Sequence, residues 1–242
     1  MPALDGSRGL VVGGAHRLGR AIALDLAAGG ADVAISYRSS AEAAEETRAA
    51  IAALGVRTAA FAAEAGVPGQ MAALVDAAAA ALGGLDVVVY CPSAGFEPVV
   101  PADVSEALWD SALDSTAKGF MFAAQAAHRH MAAAGGGVIV AITDVAGLQP
   151  WPLFAAHGAA KAAQIQLVKT LALAWGREQV RVCGIAPGPV LLPGGERGAT
   201  EETVLGTIGE PADVCRAVRF CIESDFVTGA NVVVDGGRLL RP

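Results

Sequence analysis

Residues Gly13 to Gly19 read Gly-Gly-Ala-His-Arg-Leu-Gly, after the apolar run Leu10-Val11-Val12 and before the helical pattern Arg20-Ala21-Ile22-Ala23-Leu24. Glycines at a strand-to-helix turn let the backbone bend tightly and approach a ligand, and the free N–H groups of the helix start attract an anion. The chemistry this pattern fits is the holding of a dinucleotide pyrophosphate, with Gly13, His16, Arg17, Leu18 and Gly19 as the cradle. The next apolar run ends Ser36-Tyr37-Arg38-Ser39-Ser40, where an NAD site usually sets a carboxylate against the ribose 2′-hydroxyl. No acid stands there. Arg38, with Tyr37, Ser39 and Ser40 beside it, offers a cation and hydroxyl donors suited to a 2′-phosphate, so the predicted cofactor is NADP(H). A solvated arginine at a strand end is the alternative.

Such a loop works only if strands and helices alternate around it. Short β-branched runs do alternate with Ala-rich helical stretches: Gly9 to Val12 then Arg20 to Ala28, Asp32 to Tyr37 then Ala41 to Leu54, and Asp86 to Cys91 then helix to about Ala134. Val138 to Ile142, a helix near Gly158 to Trp175, the strand Arg181 to Ile185, a helix after Pro211 and the strand Asn231 to Val234 complete the rhythm. The strands lack polar alternation, as expected where helices cover both faces. The predicted fold is α/β, a single-domain doubly wound Rossmann-type parallel sheet over 1–242, with the substrate pocket in the same domain and ligands at the carboxyl ends of the strands. The Gly/Pro-rich stretch from Pro187 to Gly198 is read as a loop beside that crevice, suited to act as a lid.

The register Val12-Gly13-Gly14-Ala15-His16-Arg17-Leu18-Gly19 resembles the TGxxxGxG opening of the short-chain dehydrogenase/reductase family, with Arg17 at the middle glycine. A pteridine reductase-like subgroup also carries Arg there, and in it the side chain contacts the cofactor phosphates. The likeness runs through Pro187-Gly188 to the ending Thr228-Gly229-Ala230-Asn231-Val232-Val233-Val234-Asp235-Gly236-Gly237. It implies that Pro187, Gly188 and Val190 lie along the cofactor. Glu64 falls where the family often has an Asp near the adenine, and equally fits a helix start.

The family reduces carbonyls with Asn, Ser, Tyr and Lys. Carried over by register, the Asn position is Thr116, the Ser position is Asp144, and the YxxxK motif reads His157-Gly158-Ala159-Ala160-Lys161, so only the Lys survives. Asp at the Ser position also resembles the pteridine reductase subgroup. Lys161, four residues after His157, shares a helix face with it and can reach the nicotinamide ribose. Imidazole titrates near ~6.5 and so acts as acid or base at neutral pH with less help than a phenol. Asp144 favours the imidazolium and Lys161 opposes it. Two functions follow. One is an NADP(H)-dependent reductase of a carbonyl, imine or pterin-type small molecule, with His157 as the acid. The other is a cofactor-binding homologue that has lost or changed its redox chemistry, as a lyase, isomerase or pseudoenzyme.

Phe96, Gln149, Trp151, Phe154, Leu191 and Leu192 are the candidate substrate-pocket residues, and their aromatic and aliphatic character fits a flat or largely apolar ligand. A net charge of −7 argues against nucleic acid as a partner, and no apolar run is long enough to cross a bilayer. The N-terminus lacks a basic segment followed by an apolar one, so the expected location is cytoplasmic. Cys91, Cys183, Cys215 and Cys221 lack metal-type spacing and are read as free thiols. His128 and His130, two apart on a helix, face different ways and suit solvent better than a metal. The resemblance further implies a homo-oligomer, dimer or tetramer, built on the long helices Trp109 to Ala134 and His157 to Trp175.

Overall fold

The computed structural model describes residues 4–190 and 203–241. Seven strands, β1 (Arg8–Val12), β2 (Asp32–Tyr37), β3 (Thr58–Ala62), β4 (Val87–Tyr90), β5 (Gly137–Ile142), β6 (Val180–Pro187) and β7 (Asn231–Val234), form one sheet in the order β3-β2-β1-β4-β5-β6-β7. Every pairing is parallel. Both faces of each central strand are buried. In β4, Val87 and Val89 enter one core while Val88 and Tyr90 enter the other, which is why these strands read as unbroken apolar runs. Helices α1 (Arg17–Ala28), α2 (Ala41–Ala52) and α7 (Pro211–Glu223) cover the first face; α3 (Pro68–Leu82), α5 (Gly119–Ala133) and α6 (Ala155–Trp175) cover the second. The chain order reverses between β1 and β4, so the crevice for a ligand opens at the carboxyl ends of those two strands.

The single-domain doubly wound sheet agrees with the sequence reading, which gave no range for β3 or α3 and set several other boundaries a few residues away. Helix α1 starts at Arg17 rather than Arg20, because the phosphate-type loop is already wound: the Arg20 N–H donates to the His16 carbonyl at 3.0 Å. Strand β6 runs past Ile185 to Pro187, since β7 continues to pair it there. The helix expected to end near Ala134 is α4 (Glu106–Leu113) joined to α5 by a π-helical turn, Asp114–Lys118. The widened turn carries Ser115, whose carbonyl accepts the Tyr90 hydroxyl at 2.5 Å. A Cβ at Gly119 would collide with that hydroxyl, so glycine is required where the helix resumes. Among the described residues no helix is long and apolar enough to cross a membrane.

The sheet's far edge is tied to its helix layer by a buried cation. Arg181 of β6 donates from Nη1 to the carbonyls of Cys221 and Val227 and from Nη2 to that of Ile222, closing the carbonyl end of α7 where a positive charge is favoured. Replacing Arg181 by Met leaves those buried carbonyls without their donors. At roughly 1 kcal/mol per lost bond, Arg181→Met is expected to lower unfolding free energy by about 3 kcal/mol in urea melts, with Arg181→Lys intermediate.

Candidate active site

The first turn is built to receive an anion. Gly19 sits so close to Gly13 that a Cβ there would overlap the Gly13 carbonyl. His16, at the N-cap of α1, caps no amide with its side chain, and the first turn of α1 contains no acid. The helix start therefore keeps its donors and its partial positive charge for a ligand. Arg17 has φ +48°, a left-handed conformation costing an L-residue roughly 1–2 kcal/mol. Glycine would adopt it freely. Leu18, half-buried, packs with the core under α1.

Tyr37, Arg38, Ser39 and Ser40 follow at the end of β2. Arg38, with 71% of its side chain in water, lies 3.9 Å from the Glu64 carboxylate. An exposed pair at that separation contributes about 0–1 kcal/mol, so Glu64 holds Arg38 only loosely. Across the crevice, Pro187 ends β6, Gly188 donates its N–H to Val234 at 2.9 Å and Val190 bridges to Gly209. These residues fit a dinucleotide: a glycine cradle a Cβ would fill, an uncapped helix start and an exposed cation at the end of the second strand.

His157 and Lys161 lie one turn apart on α6, and Asp144 sits just past the end of β5. Asp144 is anchored first by its own backbone, accepting the Ala146 N–H through Oδ1 at 2.8 Å as the N-cap of a short 3-10 turn. That turn lies directly on α6. A Cβ at Gly147 would press on the backbone of Lys161 and Ala162, so a glycine here sets how near Asp144 comes to His157. The Asp144 Oδ2 is 3.4 Å from His157 Nε2, within ion-pair range though short of hydrogen-bond alignment. The other ring nitrogen, Nδ1, lies 3.4 Å from both the Ser93 hydroxyl and the Ala94 carbonyl. Both nitrogens thus face oxygens.

Lys161 is 2% exposed, and its Nζ donates to the Ile142 carbonyl at 2.7 Å and to Gln164 at 3.3 Å. Burial pushes this amine down to about 8, against the upward pull of Asp144. Thr116 lies in the π turn packed on α6, fully buried, with no hydrogen-bond partner for its hydroxyl among the described residues. Cys91, at the end of β4, is pushed up to about 12 by desolvation and stays a thiol.

Phe96, Trp151 and Phe154 form an aromatic wall against His157. Phe96 stacks on Phe154 at 4.7 Å, meets the His157 ring edge-on at 5.0 Å and lies 6.4 Å from Trp151. The Val99 N–H, donating to Leu153 at 2.8 Å, holds the two loops together. Phe96 remains 56% exposed, an open apolar surface beside a buried histidine. Gln149 is engaged otherwise: its amide donates to the Arg241 carbonyl and accepts from Arg238, whose guanidinium lies 5.9 Å from the Trp151 ring centre. Leu191 and Leu192 lie outside the described residues, as does most of the stretch read as a lid. Ser93 closes the stretch Tyr90-Cys91-Pro92-Ser93 that stands in place of the family's usual Asn-Asn-Ala-Gly, though register gives it no role; Arg238, a C-terminal arginine, carries no local signal.

Residues 13–238 match the family model described as Enoyl-(Acyl carrier protein) reductase. The chain is similar to 3beta-hydroxysteroid dehydrogenase 1 of Eggerthella lenta, 35% identical over 252 aligned positions that cover 99% of this chain and 96% of that protein. Among solved structures it resembles a short chain dehydrogenase of Burkholderia cenocepacia in complex with NADP, at TM-score 0.91 and 33% identity, covering 98% of this chain and 100% of that one. It also resembles a 7 alpha-hydroxysteroid dehydrogenase with NADH and 7-oxo glycochenodeoxycholic acid, at TM-score 0.90 and 29% identity, covering 97% and 94% of the two chains.

The lowered Lys161 sets a pH dependence of stability. The unfolded lysine keeps its proton up to about its ordinary 10.5 while the folded one releases it near 8, so between these values the unfolded chain binds more protons and the native state gains as pH rises. Relative to Lys161→Met, the wild-type chain is expected to gain up to about 3 kcal/mol between pH 7.5 and 10.5 in urea titrations. A gap between the two proteins that stays constant with pH would contradict the buried, depressed amine.

Proposed function

Since this chain belongs to the short-chain dehydrogenase/reductase family, we propose that it is an NADP(H)-dependent oxidoreductase that reduces the C=O of a small molecule, or the C=N of an imine or pterin-type ring, with His157 as the proton source in place of the usual tyrosine. The observation that carries this reading is the contact between the buried His157 Nε2 and the partly exposed Asp144 Oδ2 beside an open aromatic surface. A carboxylate beside an imidazole favours the charged, proton-bearing ring, which is the form an acid needs when negative charge develops on a carbonyl oxygen. The bound nicotinamide supplies the hydride. Lys161 contributes a cation on the same helix face, within reach of a ribose, and Thr116 stands at the family's Asn position. Phe96, Phe154 and Trp151 stack on a flat or fused-ring substrate, in keeping with the steroid names of two of the relatives. Asp at the Ser position and Arg17 in the loop support a pteridine reductase-like subgroup.

The same reading takes 1–242 as one cofactor and substrate domain in the cytoplasm, assembled as a homodimer or homotetramer. Leu173 and Phe226, left almost wholly in water by the single chain, support assembly. Light scattering reads the state directly.

Single-turnover loss of reduced-nicotinamide absorbance across a panel of cyclic ketones, imines and pterins tests the function. Turnover of at least one class with NADPH is expected; a bound cofactor that stays reduced across the whole panel would favour a homologue without redox chemistry. Preference for the phosphate is tested at Arg38. Losing one charged contact of about 1.5–3 kcal/mol, Arg38→Ala is expected to weaken NADPH binding by about 10–100-fold in fluorescence titrations and leave NADH unchanged.

A further inference from the structure

We propose that Ser93 is the group that hands the proton to the substrate oxygen, with His157 as its source; the inference rests on the reductase reading above. A tyrosine carries its hydroxyl beyond its ring, whereas the nitrogens of histidine lie within the ring. The replacement therefore shortens the acid, and something must span the difference. His157 is 3% exposed: its buried Nε2 faces Asp144, and Nδ1 faces Ser93 and Ala94. The Ala94 carbonyl only accepts. A hydroxyl accepts and donates at once, and Ser93 is exposed at the carboxyl end of the sheet, beyond β4, where the crevice lies. Among the described residues it is the neighbour of Nδ1 that can pass a proton outward.

The step balances without further reagents. As the carbonyl carbon accepts hydride and the nicotinamide is oxidised, the C–O π pair moves to oxygen and takes the Ser93 hydroxyl proton. Ser93 Oγ takes the Nδ1 proton in turn, and the N–H bonding pair stays on the ring. The product is an alcohol, a restored serine and a neutral imidazole whose Nε2–H faces Asp144. Water returns the proton to the ring afterwards. Asp144 acts through His157, as a positioning residue.

Two variants and two readouts test the relay. Ser93→Ala at this exposed position is expected to lower the single-turnover rate about 100-fold with little change in KM, the size of a lost acid contact. Ser93→Thr, which keeps a hydroxyl, is expected to restore most of the rate. In mixed water and deuterium oxide the wild-type rate should curve as for two protons in flight, and any residual Ser93→Ala rate should vary linearly. Independently of turnover, the Nδ1 resonance of His157 in cofactor-free protein should shift in Ser93→Ala and stay in place in Ser93→Thr. A Ser93→Ala protein with full rate and an unchanged isotope curve overturns the relay and leaves His157 donating directly. A wild-type chain that transfers no hydride overturns the reductase reading and the relay together.

Discussion

A histidine held in the protein interior between a carboxylate and a pair of oxygens is the constraint around which the site is organised. An ion pair at this 3.4 Å separation would gain about 5 kcal/mol at an effective dielectric near 20, while burying a charged ring would cost several kcal/mol. The pair therefore roughly breaks even, and stability alone does not account for it. What keeps it in place is the second attachment of Asp144, which spends its other oxygen on the Ala146 amide and so cannot swing away from the ring without leaving a turn uncapped.

The scaffold bends to this arrangement at several points. Gly147 lets the turn carrying Asp144 lie against the backbone of α6, where the carboxylate meets the imidazole one turn before Lys161. The π turn before α5 is held by Tyr90, and it brings a buried Thr116 hydroxyl to the same layer. Lys161 is satisfied by the carbonyl of Ile142 at the end of β5. Each functional side chain thus hangs from the carboxyl end of a strand or the first turns of a helix, the rigid parts of a doubly wound sheet. The aromatic wall is looser by construction: it sits on loops joined by the Val99 to Leu153 bond and covered by the C-terminal turn through Arg238.

Local patterns carried most of the fold. The Gly13 to Gly19 turn and the apolar runs of β1, β2, β5 and β6 report burial on both faces within a few residues, so their periodicity is readable without partners. The π turn was not readable, because one extra residue in an Ala-rich helical run leaves the spacing of apolar positions almost unchanged. At the site, register singles out His157, Lys161, Asp144 and the aromatic residues as candidates, and the fold brings His157 against Asp144 and Phe96. Register placed Ser93 in an altered stretch after β4 but gave it no role, because it is 64 residues from His157 and meets it only after β4 and α6 have packed. Register was silent on Arg238, 89 residues from Gln149, which turns that side chain toward the C-terminal segment.

In the proposed reaction His157 is the source of the proton that accompanies hydride transfer. The most direct measurement is the single-turnover hydride-transfer rate of His157→Phe and His157→Tyr at fixed bound NADPH. Phe keeps a ring of similar size without a titrating proton, and Tyr returns a hydroxyl at the position the family usually gives it. The account predicts a loss of about 100-fold or more in the first and a partial recovery in the second. An unchanged rate in His157→Phe would contradict it.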